Sequence, residues 1–320
     1  MNPSPSQEMK MREPPLDHRW AVVLIPAGAE NHSFLEVARG KDPGAAVASE
    51  RLEASASREE AFERTLRRTA QLLPSSRTLV VLTESQQRIC RDALAQIPPD
   101  NAIIQPRDKG SLPGILWSLL RLRNLDRRAV VAFFPSEQQY SPEEVFGVRI
   151  AEAFEVAELN PQFIVLLGAP ADRLAADYGW ILPKQSVLGN GGSLRPIAQF
   201  FEKPSTDEAR DLLNRGCLWS TFVMVGSASS FLEIIEAAVP DLYRTFASIL
   251  GKRQKANEAE LVARFYGIAE SWDFSTQVLS MNVSRLAVLG LGEVGWSDET
   301  PRKPTLKERF DSAAAAPIAK

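Results

Sequence analysis

Residues 129–137 read Ala129-Val-Val-Ala-Phe-Phe-Pro-Ser-Glu137, six apolar residues in a row followed by a short polar step to an acid. A strand that is apolar on both faces belongs in the interior of a sheet covered on both sides, the usual setting of parallel sheets. An acid placed just after such a strand stands at its carboxyl end, where open α/β sheets bind their ligands. The same rhythm recurs on either side of this stretch. Trp20-Ala-Val-Val-Leu24, Thr78-Leu-Val-Val-Leu82, Ala102-Ile-Ile104 and Phe163-Ile-Val-Leu-Leu167 are further apolar runs. Helical periodicity marks 59–73 (Ala61, Phe62, Leu66, Ala70, Leu73), 85–96, 114–125 and 142–158. This alternation predicts an α/β fold, a Rossmann-like, doubly wound, mostly parallel sheet with helices on both faces.

The later half is less regular. Tyr178-Gly-Trp-Ile-Leu182, Ile197-Ala-Gln-Phe-Phe201 and Trp219 to Val225 read as strands of a sheet extension over the cleft. Helices are expected near 205–215, 229–238 and 258–266, and Ala287 to Leu291 as the final strand. The stretch 30–58, rich in Ala, Ser, Gly and charge, reads as a long loop. One folded domain is expected over 17–300, between a Pro-rich, polar, disordered segment at 1–16 and a mobile tail at 301–320.

Composition narrows the function classes. The net charge is -3, and basic residues do not interleave with aromatics, so no nucleic-acid surface is expected. Only two histidines, His18 and His32, and two distant cysteines, Cys90 and Cys217, occur. That speaks against an imidazole-based zinc site or a histidine-dependent triad, and it suits free thiols in a reducing compartment. No apolar run approaches the length of a membrane span, and the N-terminus is polar; cytoplasm and no membrane partner are the expectation. No G-x-G-x-x-G follows the first strand, which argues against a dinucleotide-dependent dehydrogenase.

Polar residues follow four apolar strands: the loop after Leu24, Gln105-Pro-Arg-Asp-Lys109, Pro135-Ser-Glu137 and Trp296-Ser-Asp298. Glu137 and Asp298 form a pair of carboxylates suited to bridging one Mg²⁺ on a triphosphate, with two solvated loop acids as the alternative.

Six segments then occur in a telling order. Gln105-Pro106 with Gly110 and Pro113-Gly114-Ile115 is similar to "QP…GTAPAI", and Phe134-Pro-Ser-Glu137 to "FPSD". Tyr178-Gly-Trp-Ile181 is similar to "GYGYI", and Phe201-Glu-Lys-Pro204 is "FEKP". Leu218-Trp-Ser-Thr-Phe222 is similar to "LWNSG" or "LWNTF", and Gly295-Trp-Ser-Asp298 matches "GWSD". Collinear from about residue 20 to 298, they make the chain resemble the sugar-nucleotide pyrophosphorylases, specifically the mannose-1-phosphate guanylyltransferases. The resemblance implies a nucleotidyltransferase that uses Mg²⁺ to join GTP, or another nucleoside triphosphate, to a sugar 1-phosphate. A nucleotide sugar such as GDP-mannose and pyrophosphate would be its products. It implies Gly28, Gln105, Gly110 and Pro113 on the nucleotide side. Tyr178, Gly179, Glu202, Lys203 and Ser220 would lie on the sugar-phosphate side, and Glu137 and Asp298 at the metal. An oligomer is compatible with it. At 320 residues the chain is not expected to hold the β-helix or isomerase domains that some relatives carry.

The pattern breaks on the triphosphate side. The signature loop "GGxGTR" reads Ile25-Pro-Ala-Gly-Ala-Glu-Asn31, where Pro26 removes an amide donor, Glu30 adds like charge and Asn31, or Ser33 in a shifted pairing, stands for the arginine. Gly44 stands where "PKQ" has its lysine, with Lys41 the nearby substitute; Glu137 stands for an aspartate and Ser220 for an asparagine. One lost transition-state donor raises a barrier by ~3–4 kcal/mol. Two lost cations and a displaced ligand would together exceed ~6 kcal/mol if independent. Two expectations therefore stand: a divergent enzyme, or a family member that binds a sugar phosphate or nucleotide sugar without turnover, as a sensor or as partner of an active paralogue.

Overall fold

The computed structural model describes residues 18–25, 46–188, 193–250, 255–268 and 270–298. The segments 1–16 and 301–320, and Pro26, Gly28, Glu30, Asn31, Lys41 and Gly44, lie outside the described residues.

The strands are β1 (Arg19–Leu24), β2 (Thr78–Thr83), β3 (Ala102–Gln105), β4 (Val130–Pro135), β5 (Gln138–Ser141), β6 (Ile164–Pro170), β7 (Gly179–Pro183), β8 (Arg195–Glu202), β9 (Leu218–Ser227), β10 (Leu286–Gly290) and β11 (Gly295–Asp298). The helices are α1 (Ala46–Ala70), α2 (Glu84–Ile89), α3 (Arg91–Leu94), α4 (Ser111–Leu125), α5 (Glu143–Leu159), α6 (Thr206–Asn214), α7 (Ala228–Ala238), α8 (Pro240–Leu250) and α9 (Lys255–Ile268). Nine strands form one sheet in the order β3-β2-β1-β4-β9-β6-β10-β8-β7, and β5 and β11 form a separate ribbon. The pairs β3–β2, β2–β1, β1–β4 and β6–β10 are parallel, as the apolar runs predict.

Every residue of β4 is buried, because helices cover both faces. Phe133 packs with α4 and α7 on one side; Ala132 and Phe134 pack with α5 on the other. A third cluster joins Val23, Val80 and Leu82 to Phe62 and Leu66 of α1. Local signals agree with this frame. Ser205 and Glu208 form a capping box that starts α6, and Thr83 with Gln86 does the same for α2.

Several boundaries differ from the expectation. Residues 46–58, expected as loop, belong to α1, and Phe62 and Leu66 of that helix are buried. The helix expected over 85–96 breaks at Cys90, and a further helix, α8, follows α7. Strand β9 is not an extension over the cleft alone. Its C-terminal half inserts antiparallel between β4 and β6, and its start pairs with β7. A bulge opposite Leu166–Gly168 lets it serve both, with Phe222 at φ 60° in its middle. Residues 287–291 are not the last strand: β11 follows, and its Gly295-Trp-Ser-Asp298 pairs antiparallel with β5.

Candidate active site

Strand β1 ends beside β4, Leu24 opposite Pro135, and the Ser136 N–H donates to Leu24 O at 2.9 Å. Glu137 follows, buried at the carboxyl end of the parallel strands. The β5–β11 ribbon sets Asp298 opposite Gln138, the residue after Glu137, which brings the Asp298 charge to bear on the Glu137 carboxyl. Burial lifts the Glu137 carboxyl from the ordinary carboxylate range to about 8, with the Asp298 charge adding to it. Its own backbone N–H, the Ser136 hydroxyl and Arg58 act in the opposite direction. Paired carboxylates offer hard oxygen donors of the kind that Mg²⁺ takes, a cation that uses few protein carboxylates and completes its shell with water and phosphate.

A second group lies across the sheet. Gly179 of β7 pairs with Glu202 of β8, and the carboxylate lies so close over the glycine that a Cβ there would sit 2.9 Å from Glu202 Oε2. The same Cβ would sit 3.3 Å from Ser220 Cβ, so Gly179, Glu202 and Ser220 share one small space. Burial lifts Glu202 to about 7, Asp273 pushes the same way, and Lys203 and a hydrogen bond from Ser275 oppose. Lys203 is exposed and held at φ 46°, the left-handed region. Gln138 ties this group to the acid pair by donating from Nε2 to the backbone oxygen of Thr221, next to Ser220.

The third group is the loop between β3 and α4. Gly110, at φ 84°, caps α4, and its N–H donates to Asp108 Oδ1 at 2.7 Å. Gln105 is buried, and its Oε1 accepts from the Tyr266 hydroxyl at 2.7 Å. Pro113 is buried in the first turn of α4.

One expectation is corrected. Tyr178 does not face the small space beside Gly179. It stands just before β7, and its ring is buried in the apolar cluster that also holds Trp180 and Trp219. There it meets Trp219 edge-on at 5.3 Å and Trp296 at 5.0 Å. It supports the strand that carries Asp298. Conversely, the sequence reading missed Tyr266, Gln138, Asp273 and Ser275. The signal for the last two was Ser271-Trp-Asp-Phe-Ser275, polar residues around two aromatics just after a helix.

The family model of the nucleotidyl transferases matches residues 59–298, three quarters of the chain. The chain belongs to the nucleotidyl transferase family. Among curated relatives, the alginate biosynthesis protein AlgA of Pseudomonas syringae pv. tomato is 25% identical over 224 residues, 69% of this chain and 45% of its own. The mannose-1-phosphate guanylyltransferase of Salmonella muenchen is 24% identical over 243 residues, 74% of this chain and 50% of its own. The chain thus spans about half the length of the curated relatives it matches. Among solved structures, a Thermus thermophilus protein described as a mannose-1-phosphate geranyltransferase superposes with TM-score 0.67 at 19% identity, over 90% of this chain and 81% of that one. A Helicobacter pylori mannose-6-phosphate isomerase superposes with TM-score 0.64 at 18% identity, over 87% of this chain and 99% of that one. At that identity, these two speak for the fold alone. Among the described residues no helix is long and apolar enough to cross a membrane.

Proposed function

We propose that this nucleotidyltransferase joins the nucleotidyl group of GTP, or a related nucleoside triphosphate, to a sugar 1-phosphate such as mannose 1-phosphate, releasing pyrophosphate. The observation that carries the reading is that the acid pair Glu137 and Asp298 is tied, through the Gln138 hydrogen bond to Thr221 O, to the group formed by Gly179, Glu202 and Ser220, with Lys203 next in the chain. Glu137 and Asp298 would hold Mg²⁺, which supplies neutralisation of the triphosphate charge. Glu202 accepts hydrogen bonds from sugar hydroxyls, and Lys203 faces the sugar's phosphate. The oxygen that attacks is a phosphate oxygen, already ionised near neutral pH, so the site has no need of a histidine base. Its contribution is positioning and charge compensation.

The test is pyrophosphate release from mixtures of nucleoside triphosphates and sugar 1-phosphates with Mg²⁺. Turnover with GTP and mannose 1-phosphate is expected; silence across all pairs overturns the enzyme reading. A second reading is favoured by the sequence at Asn31 and Gly44, which removes the loop's cations. In that reading the protein binds a sugar phosphate or nucleotide sugar without turnover. Its signature is a higher melting temperature with mannose 1-phosphate or GDP-mannose and no pyrophosphate.

A further inference from the structure

The segment 271–276 lies between the nucleotide-side loop and the sugar-side acid, and it is bonded to both. Its main chain joins the loop: Trp272 N–H donates to Lys109 O at 2.8 Å, and Leu112 N–H donates to Trp272 O at 3.1 Å. Its side chains join the start of α4. Ser111 Oγ donates to Asp273 Oδ2 at 3.2 Å and accepts from the Phe274 N–H at 2.8 Å, while Thr276 N–H donates to Asp273 Oδ1 at 2.8 Å. Both oxygens of Asp273 are therefore fixed by a neighbouring donor, and each keeps acceptor capacity to spare. On its other side, Ser275 hydrogen-bonds Glu202, and the Asp273 charge bears on that carboxyl.

Two carboxylates near enough for the charge of one to bear on the other repel unless donors come between them. The groups around them are Lys203 and the hydroxyls of Ser111 and Ser275. A polyol bearing a phosphate complements this set better than a bare cation does. Adjacent hydroxyls on a pyranose offer one donor to each acid, and the exposed lysine answers the phosphate.

We propose that Asp273 is a second hydroxyl-reading carboxylate of the sugar pocket, taking one of two adjacent sugar hydroxyls while Glu202 takes the other, and that Ser111 holds it in register with the nucleotide-side loop. The inference rests on the sugar 1-phosphate reading above and names a residue and a substrate feature that reading leaves open. It makes specificity a property of three separate parts of the chain: β8, the first turn of α4 and the 271–276 segment.

The test is calorimetric titration of the full chain with mannose 1-phosphate and its four monodeoxy analogues, using the wild type, Glu202→Gln, Asp273→Asn and Ser111→Ala. The wild type should lose about tenfold in affinity when either of two adjacent hydroxyls is removed, the size of one hydrogen bond to a charged acceptor. Asp273→Asn should bind mannose 1-phosphate about tenfold more weakly and no longer distinguish one of those two analogues. Glu202→Gln should lose discrimination at the other. Ser111→Ala keeps both acids, so it decides the matter even where Asp273→Asn folds poorly: discrimination at the Asp273 hydroxyl should fall while that at the Glu202 hydroxyl stays. If Asp273→Asn and Ser111→Ala discriminate as the wild type does, the role of Asp273 is overturned while the sugar-phosphate site stands. If the wild type binds none of the five compounds, the sugar-phosphate reading itself falls and takes this inference with it.

Discussion

The burial of Glu137 has a consequence for both stability and metal binding. Its carboxyl titrates near 8 in the fold because burial and Asp298 oppose its charge. The sign follows from linkage: a group whose folded pKa is raised binds a proton on folding. The stability it contributes is fully present below the ordinary carboxylate range and is lost as pH rises through about 8. Without metal, the melting temperature should therefore fall between pH 5 and about 8.5, and Glu137→Gln should flatten that fall. Mg²⁺ needs the ionised acid, so near pH 7 its binding should expel a proton and tighten by up to about tenfold per pH unit. Calorimetry in buffers of different ionisation heat reads this directly. Binding with no proton exchange would sink the assignment of Glu137 as a ligand. Gly110 sets a second constraint at this scale. A Cβ there would lie 2.3 Å from the Trp272 carbonyl oxygen, on a backbone with φ at 84°. Gly110→Ala should lose about 1–3 kcal/mol of stability and displace the 271–276 segment. Its weaker grip on both nucleotide and sugar phosphate would be visible in thermal shifts.

Among the elements, the β5–β11 ribbon decides whether the two acids meet, and a buried arginine of α1 supports it. Arg68 is almost wholly enclosed. It donates to Gln138 O at 3.3 Å and to Glu143 Oε1 at 2.9 Å, and it lies 4.9 Å from the Tyr140 ring. Tyr140 in turn stacks on Phe146 of α5. The guanidinium Nε has no partner among the described residues, so part of the side chain's charge is held at a loss. Arg68→Ala should cost about 2–4 kcal/mol by opening a cavity beneath Tyr140 and freeing β5. Arg68→Met, which refills the volume, should cost clearly less. Chemical denaturation orders the two; the reverse order would mean that the ion pair with Glu143, not the packing, holds the ribbon. Because β5 carries the register of Asp298, both variants should also weaken Mg²⁺ binding in proportion to their instability.

For the whole molecule, the central strands were legible because period and composition alone decide them: a strand such as Val130–Pro135, buried on both faces, cannot be disguised. The strand-end acids were legible for the same reason, since the end of an apolar run is visible in one dimension. What escaped depends on partners distant in the chain. Strand β11 is half exposed and exists because β5 pairs with it, and the insertion of β9 between β4 and β6 rests on contacts no local pattern carries. Asp273 and Ser111 lie 162 positions apart and meet only in the fold. These long-range links also bear on the weakened triphosphate motifs. A run of contacts and chain neighbours leads from Glu137 through Gln138 and Thr221 to Ser220 and Glu202, then through Ser275 and Asp273 to Ser111 and Gly110. No step of that chain uses the cations missing at Asn31 and Gly44. A pocket assembled without them should accept them back. The triple change Asn31→Arg, Gly44→Lys and Glu137→Asp should raise pyrophosphate release with GTP and mannose 1-phosphate by about 10²-fold or more, the size of one restored transition-state donor. Affinity for mannose 1-phosphate should stay within about threefold, because the sugar wall is untouched. A rise in turnover with unchanged sugar affinity would separate the two halves of the site. A variant that binds both substrates yet gains nothing would mean that the loop's backbone, and not its lost charge, limits the chemistry.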